Sequence, residues 1–239
     1  MGAGMHTHMV SVARPRADAP AMQAYVASPD GAGPFPGVLI IHEIFGLTDD
    51  IREVARRFAD AGYVGLAIDL FANANRATCL ARAFAGLLVR PLHNGMLSDA
   101  QAALSALRAQ PGVEPRRVGA IGFCMGGGYA LQLACVDDSL RVASVFYATN
   151  PRPLSAVERA CPIVGSYPGR DYTARGARSL AATLQRAGIP HDIKIYPGTL
   201  HAFFNPQGKT YNAQAAEDGW ARTLSFFSQH LAPAPSATH

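Results

Sequence analysis

The sequence lacks any apolar run approaching the roughly 18 residues that a membrane-spanning helix needs, so a soluble chain is expected. Its start, Met1-Gly-Ala-Gly-Met-His-Thr-His-Met9, has none of the basic, apolar and small-residue order of a secretory signal, and His6 stands where N-myristoylation needs Ser or Thr. The four cysteines, Cys79, Cys124, Cys135 and Cys161, contain no Cys-x-x-Cys pair and no metal-ligand spacing. That argues against a disulfide framework or a zinc site and for a reducing, cytoplasmic location. No second His follows His42-Glu43 at helical spacing, so the zinc-protease pattern is missing as well. There is no internal repeat and no linker that would mark a second domain.

What remains suits a compact enzyme-sized core. With 239 residues, 49% of them hydrophobic and 16% charged, residues 1–239 are expected to form one α/β domain, with 1–8 and 232–239 mobile and 74–97 a cap or lid. The net charge of +4 and a pI near 9.0 come from arginines placed singly or in pairs such as Arg56-Arg57 and Arg116-Arg117. This is a solvated surface, not a nucleic-acid footprint, and its mild positive balance would at most help draw in an anionic small molecule. Monomer and dimer both fit.

Short apolar runs alternate with helical periodicity along the chain. Strands are expected at Met9–Ala13 and Ala21–Ala27, then at Val38–Ile41, a run apolar on both faces, and at Tyr63–Ile68. Ile51, Val54, Ala55 and Phe58 fall on one helical face after a cap at Asp49 or Asp50, and Gly62 ends that helix. A helix over Ser98–Ala109 precedes the strand that ends at Phe123, and a further helix runs through Gly127–Ala134. Strands follow at Val142–Tyr147, Pro162–Tyr167 and Asp192–Tyr196, with a helix capped by Thr173 before the last of them and a final helix over Ala213–Gln229. The alternation implies a right-handed, mostly parallel central sheet with helices on both faces.

Chemistry concentrates in Val118-Gly-Ala-Ile-Gly-Phe-Cys124-Met-Gly-Gly-Gly-Tyr129. Gly122-x-Cys124-x-Gly126 has the form of a nucleophile elbow, a strand-to-helix turn so tight that only hydrogen fits at the flanking positions. A glycine-rich nucleotide-binding turn is the competing reading. It is disfavoured because both the Lys-Ser/Thr ending of a P-loop and the dinucleotide-binding Gly-x-Gly-x-x-Gly spacing are absent. At the start of a helix Cys124 would gain thiolate character, and the Met125 N–H would face an oxyanion. His201, after the last strand, is the expected base. Asp171 is the expected acid, ahead of Asp192 at the wrong end of a strand and Asp69, which precedes the nucleophile. His42-Glu43-Ile44 follows an earlier strand, so the Ile44 N–H is expected as second oxyanion donor, and Glu43 near the thiol would raise its pKa and hold it quiet.

Taken together, Gly-Phe-Cys124-Met-Gly-Gly, His42-Glu43-Ile-Phe-Gly and Pro-Gly-x-x-His201-x-Phe resemble the dienelactone hydrolase, or carboxymethylenebutenolidase, family of the α/β-hydrolase fold, over about Met22 to Phe227. That resemblance implies a Cys124-Asp171-His201 triad with Glu43 as partner of the thiol, and hydrolysis of a small lactone or ester through a thioester, without metal or cofactor. It also implies substrate contacts from Phe45 and from two positions where dienelactone-processing members carry carboxylate-binding arginines. Here those positions hold Asn73 and Asn205, and Arg76 or Arg82 from the lid are the candidate substitutes. Hydrolysis of another acyl compound, a thioester or small amide, and a non-catalytic small-molecule-binding protein are the alternatives.

Overall fold

The computed structural model describes residues 4–16, 19–71 and 75–233. Eight strands form one sheet in the order β1-β2-β4-β3-β5-β6-β7-β8: β1 (Met5–Val12), β2 (Met22–Pro29), β3 (Phe35–Ile41), β4 (Val64–Ile68), β5 (Val113–Phe123), β6 (Val142–Phe146), β7 (Ile163–Pro168) and β8 (His191–Tyr196). β1 pairs antiparallel with β2, and β2 with β4; every other pairing is parallel. The helices are α1 (Asp49–Asp60), α2 (Arg76–Leu88), α3 (Gly95–Arg108), α4 (Met125–Val136), α5 (Thr173–Ala187) and α6 (Ala213–His230), with a 3-10 turn over Leu154–Arg159.

The apolar runs are continuous because the parallel strands are buried on both faces. Leu39 and Ile41 of β3 join one core with α2, α3, α4 and α5, while Val38 and Ile40 join another with α1 and α6. Successive side chains of a strand point to opposite faces, so each strand must supply both cores. On the α1/α6 side Phe58, Trp220 and Phe227 pack ring against ring, with centroids 4.7 and 6.0 Å from that of Phe58.

Several local expectations are corrected. β1 begins at Met5, so half of the stretch 1–8 expected to be mobile is paired to β2, with Met5 opposite Pro29. Thr48, not Asp49 or Asp50, caps α1 by accepting the Ile51 N–H; the two aspartates occupy the first turn, where the helix dipole favours their charge. Thr173 is the first residue of α5 and makes no side-chain cap; the Asp171 carboxylate accepts the Thr173 N–H instead, at 2.9 Å. Within the expected lid, α2 is a helix docked on α4: the Tyr129 hydroxyl donates to the Ala83 carbonyl at 2.7 Å, and a Cβ on Gly86 would meet that hydroxyl at 2.6 Å.

Strand register sets what meets at the carboxyl edge of the sheet. Ile41 lies opposite Gly122, and Phe123 opposite Phe146, so Glu43, Cys124 and Tyr147 leave three neighbouring strands side by side. Pro168 lies opposite Tyr196, and the loops that follow carry Asp171 and His201 to the same edge. That edge is where open parallel sheets place their ligands.

Candidate active site

Cys124 stands at φ 53° and ψ −114°, a backbone conformation that L-residues rarely adopt. The neighbouring glycines explain how it persists. A Cβ on Gly122 would lie 2.1 Å from the Gly126 carbonyl oxygen, and one on Gly126 would lie 2.2 Å from that of Ile41. The Cys124 N–H donates to the Phe146 carbonyl at 3.0 Å, and its own carbonyl accepts the Gly128 N–H at 3.1 Å, starting α4. The turn is therefore clamped on both sides.

The thiol itself departs from the sequence expectation of thiolate character. Burial pushes Cys124 up to about 12, the charge of Glu43 and more distantly that of Asp171 push the same way, and only the Met125 N–H opposes them. The helix N-terminus is outweighed because the thiol is largely desolvated and its charged neighbours are anions. Cys135 and Cys161, away from the elbow, are also raised to about 12 by burial, so the backbone position and not acidity distinguishes Cys124. All four cysteines are free thiols.

His201 Nδ1 is hydrogen-bonded to Asp171 Oδ2, and Asp171 is nearly buried while the imidazole is about one-third exposed. Because Asp171 Oδ1 also holds the first turn of α5, one carboxylate fixes both the helix and the ring. The imidazole packs against Tyr147, with ring centroids 4.9 Å apart, and against Tyr172, nearly parallel at 5.9 Å. The competing aspartates are engaged elsewhere: Asp192 accepts from Arg222 Nε at 2.9 Å, and Asp69 accepts the Phe71 N–H at 2.9 Å. Among the described residues no hydrogen bond joins the Cys124 thiol to His201.

Glu43 is buried, with Oε1 accepting from the Tyr147 hydroxyl at 2.8 Å and Oε2 from Asn205 Nδ2 at 3.3 Å. Burial raises its pKa, while Tyr147, Asn205 and His201 favour the ionised form. Both oxygens are thus taken up by this network, and Glu43 acts on the thiol through its field. Tyr147 is fully buried at φ 41°, and its hydroxyl is held well above the ordinary tyrosine range by burial and by Glu43. Sequence reasoning read Tyr147 only as a strand end; an aromatic with a polar tip at the carboxyl end of β6 was the available signal.

His42 is the second residue whose part was not foreseen. Its Nε2 accepts the Leu70 N–H at 3.1 Å, so the proton resides on Nδ1, which donates to the Glu43 carbonyl. The Glu43 carbonyl and the Ile44 N–H lie on opposite sides of one planar trans peptide. A hydrogen bond to the carbonyl from behind therefore sets where the Ile44 N–H points. Arg76 Nη2 holds the following peptide by donating to the Ile44 carbonyl at 3.0 Å, and its guanidinium lies 5.5 Å from the ring centre of Phe45, which is half exposed. Of the expected substrate contacts, Asn205 commits its amide to Glu43 and its Oδ1 to the Gln207 N–H at 2.9 Å. Asn73 lies outside the described residues. Among the described residues no group of three or more His, Cys, Asp or Glu is placed to hold a metal ion, and no helix is long and apolar enough to cross a membrane.

A mostly parallel eight-stranded sheet covered on both faces, with a strained elbow after β5 and a histidine loop after β8, defines an α/β-hydrolase. Within that class the chain belongs to the dienelactone hydrolase family, whose model matches residues 22–231. A protein of Saccharolobus solfataricus provisionally named carboxymethylenebutenolidase is 34% identical, over 87% of this chain and 94% of its own length. Among solved structures, a dienelactone-hydrolase-like promiscuous phosphotriesterase from metagenomic libraries superposes with a TM-score of 0.84 at 27% identity, covering 96% of this chain and 99% of its own. A provisionally named dienelactone hydrolase of Klebsiella pneumoniae superposes with a TM-score of 0.81 at 26% identity, covering 95% of this chain and 99% of its own. The chain is accordingly a hydrolase of the ester- and lactone-cleaving kind.

Proposed function

We propose that the protein hydrolyses a small lactone or carboxylic ester by covalent catalysis at Cys124. The observation that carries this is the strained cysteine at the elbow beside a His201 whose Nδ1 is bound to Asp171, leaving Nε2 free for the reacting proton. As Sγ bonds to the substrate carbonyl carbon, its proton passes to His201 Nε2, and the carbonyl oxygen becomes an oxyanion facing the N–H groups of Ile44 and Met125. Collapse breaks the ester C–O bond and the alkoxide takes the proton from His201. A water molecule, deprotonated by the same imidazole, then attacks the thioester and releases the acid and the thiol.

At rest, burial and the Glu43 charge keep the thiol protonated, so the nucleophile is formed only as the proton is handed to His201. A thiol nucleophile fits a reducing cytoplasm. The test is turnover of lactones and p-nitrophenyl esters by the wild type, Cys124→Ala and Cys124→Ser, with acyl-enzyme followed by intact mass. Wild-type hydrolysis lost at least about 1,000-fold in Cys124→Ala is expected. Unchanged activity in that variant would sink the mechanism, and a persistent adduct without turnover would favour a binding protein.

A further inference from the structure

The proton transfers assigned to His201 leave Tyr172 without a part, yet its ring lies against the imidazole that makes them. At 71% exposure it is the most exposed aromatic residue among those described. The two rings are 5.9 Å apart between centroids and 12° apart between planes, an offset stack that leaves much of the tyrosine uncovered. Among the described residues the Tyr172 hydroxyl makes no hydrogen bond. Neither a packed core nor a polar anchor holds this ring in place.

Backbone fixes it relative to the imidazole instead. Tyr172 follows Asp171, whose carboxylate binds His201 Nδ1 through one oxygen and the Thr173 N–H through the other. Just before it, the Gly169 N–H donates to the Tyr196 carbonyl at 2.8 Å and the Arg170 N–H to the Thr199 carbonyl at 3.0 Å. The loop that carries Tyr172 is thereby tied to the loop that carries His201. A ring fixed before a ligand arrives needs little further ordering when it binds one.

The histidine also decides which part of an ester would meet the ring. Nδ1 is taken by Asp171, so Nε2 must serve the leaving oxygen, and proton transfer brings the two to within about 2.6–3.2 Å. The group carried on that oxygen therefore lies beside the imidazole. Tyr147, the other ring packed there, is buried with its hydroxyl spent on Glu43, so of the two only Tyr172 offers surface to a substrate. Partial burial raises the pKa of the Tyr172 hydroxyl, and Cys124 and Asp171 add to the rise, which puts its polar end within the electrostatic reach of both.

We infer that Tyr172 is the platform for the leaving half of the ester and that it selects aryl over alkyl leaving groups, since two rings gain an interaction that a ring and a saturated chain lack. This assignment rests on the proposed proton transfer by His201.

The experiment measures kcat/KM in the wild type, Tyr172→Leu and Tyr172→Phe. The substrates are phenyl acetate and trifluoroethyl acetate, which share an acyl group, and phenyl butyrate, which shares the phenol. In Tyr172→Leu the phenyl/trifluoroethyl ratio should fall about fivefold, the effect of losing one aromatic pair, while the butyrate/acetate ratio holds. Tyr172→Phe should keep the wild-type value of both ratios. Ratios make the readout independent of the amount of folded enzyme. Equal losses on all three esters in Tyr172→Leu would make the ring a support for His201 alone and overturn the platform. A phenyl/trifluoroethyl ratio that does not move would overturn it too, as would a change in the butyrate/acetate ratio, which would put the ring on the acyl side. A ratio that falls as far in Tyr172→Phe would move the preference from ring to hydroxyl, with the same result. Each of these outcomes leaves the cysteine mechanism standing, whereas absence of turnover of any ester by the wild type would remove both.

Discussion

The elbow after β5 and the loop after β3 stand side by side at the sheet edge, yet they are held by different means. The elbow is held by backbone: two glycines whose hydrogens touch carbonyl oxygens, and a cysteine whose positive φ is clamped by hydrogen bonds to β6 and α4. The Glu43 loop is held by side chains from elsewhere: His42 reading Leu70, Tyr147 from the end of β6, Asn205 from the loop after β8, and Arg76 from α2. A backbone device fails all at once when a methyl group is added. A side-chain network loosens by degrees, and its members can be removed singly to find what each one sets.

The largest effect is expected from the elbow. Gly126→Ala would place a Cβ 2.2 Å from the Ile41 carbonyl oxygen and 2.4 Å from that of His42, neither of which can retreat without moving β3. A loss of about 3 kcal/mol is expected, or roughly 6–12 °C in Tm for a chain of this size, together with near-complete loss of turnover. Thermal unfolding followed by circular dichroism checks it. An unchanged Tm would mean that the turn is not clamped as described.

His42→Ala tests the loop next. Without the Nδ1–H the Glu43–Ile44 peptide is free to rotate, and kcat should fall about 100-fold with KM little changed, the usual cost of an oxyanion donor. His42→Asn retains a donor near the Nδ1 position and should recover part of that loss. If His42 only fills space beside Phe71, both variants would lose stability and kcat alike, with no recovery by asparagine.

This contrast also explains what the sequence made legible. Gly122-x-Cys124-x-Gly126 could be read because a backbone turn imposes its demand on adjacent residues. The strand runs could be read because burial on both faces leaves only apolar side chains, and Asp171 and His201 because each follows a strand at the edge where the elbow opens. Tyr147 and the service of Asn205 to Glu43 were hidden, since partners separated by 104 and 162 positions leave no local spacing. Of the two opposing expectations for Cys124, the rise from Glu43 agrees in direction, whereas the thiolate character from the helix N-terminus fails for the same reason: the helix N-terminus is local and visible, while desolvation is a property of the assembled core.

Glu43→Gln sharpens the comparison without disturbing the elbow. The Glu43 charge raises the thiol pKa, so its removal must lower it, while burial still holds it above an ordinary cysteine. With the wild-type thiol at about 12, alkylation by iodoacetamide should rise about tenfold per pH unit with no plateau up to pH 10. In the variant the profile should move down by about one unit, making alkylation at pH 7 about ten times faster, while ester turnover falls. A profile that stays in place would mean that burial alone sets the thiol.

Asn205→Ala should give the smallest effect and decides between two uses of one side chain. Its bond to Glu43, at 3.3 Å, is longer than the 2.8 Å bond from Tyr147, so Asn205 is the lesser of the two anchors. Asn205 favours the ionised carboxylate, and its loss moves the ionisation of Glu43 to higher pH. At a pH within that titration a smaller fraction of Glu43 is then charged, and the thiol pKa falls in the same direction as in Glu43→Gln but less far. Within that pH range, and not above it, a small downward shift of the alkylation profile is expected, with kcat reduced about twofold to threefold and KM unchanged. A side chain that held substrate would do the opposite: KM would rise and the alkylation profile of the free enzyme would not move. Measuring both in one variant therefore separates a residue that positions Glu43 from one that touches the ester.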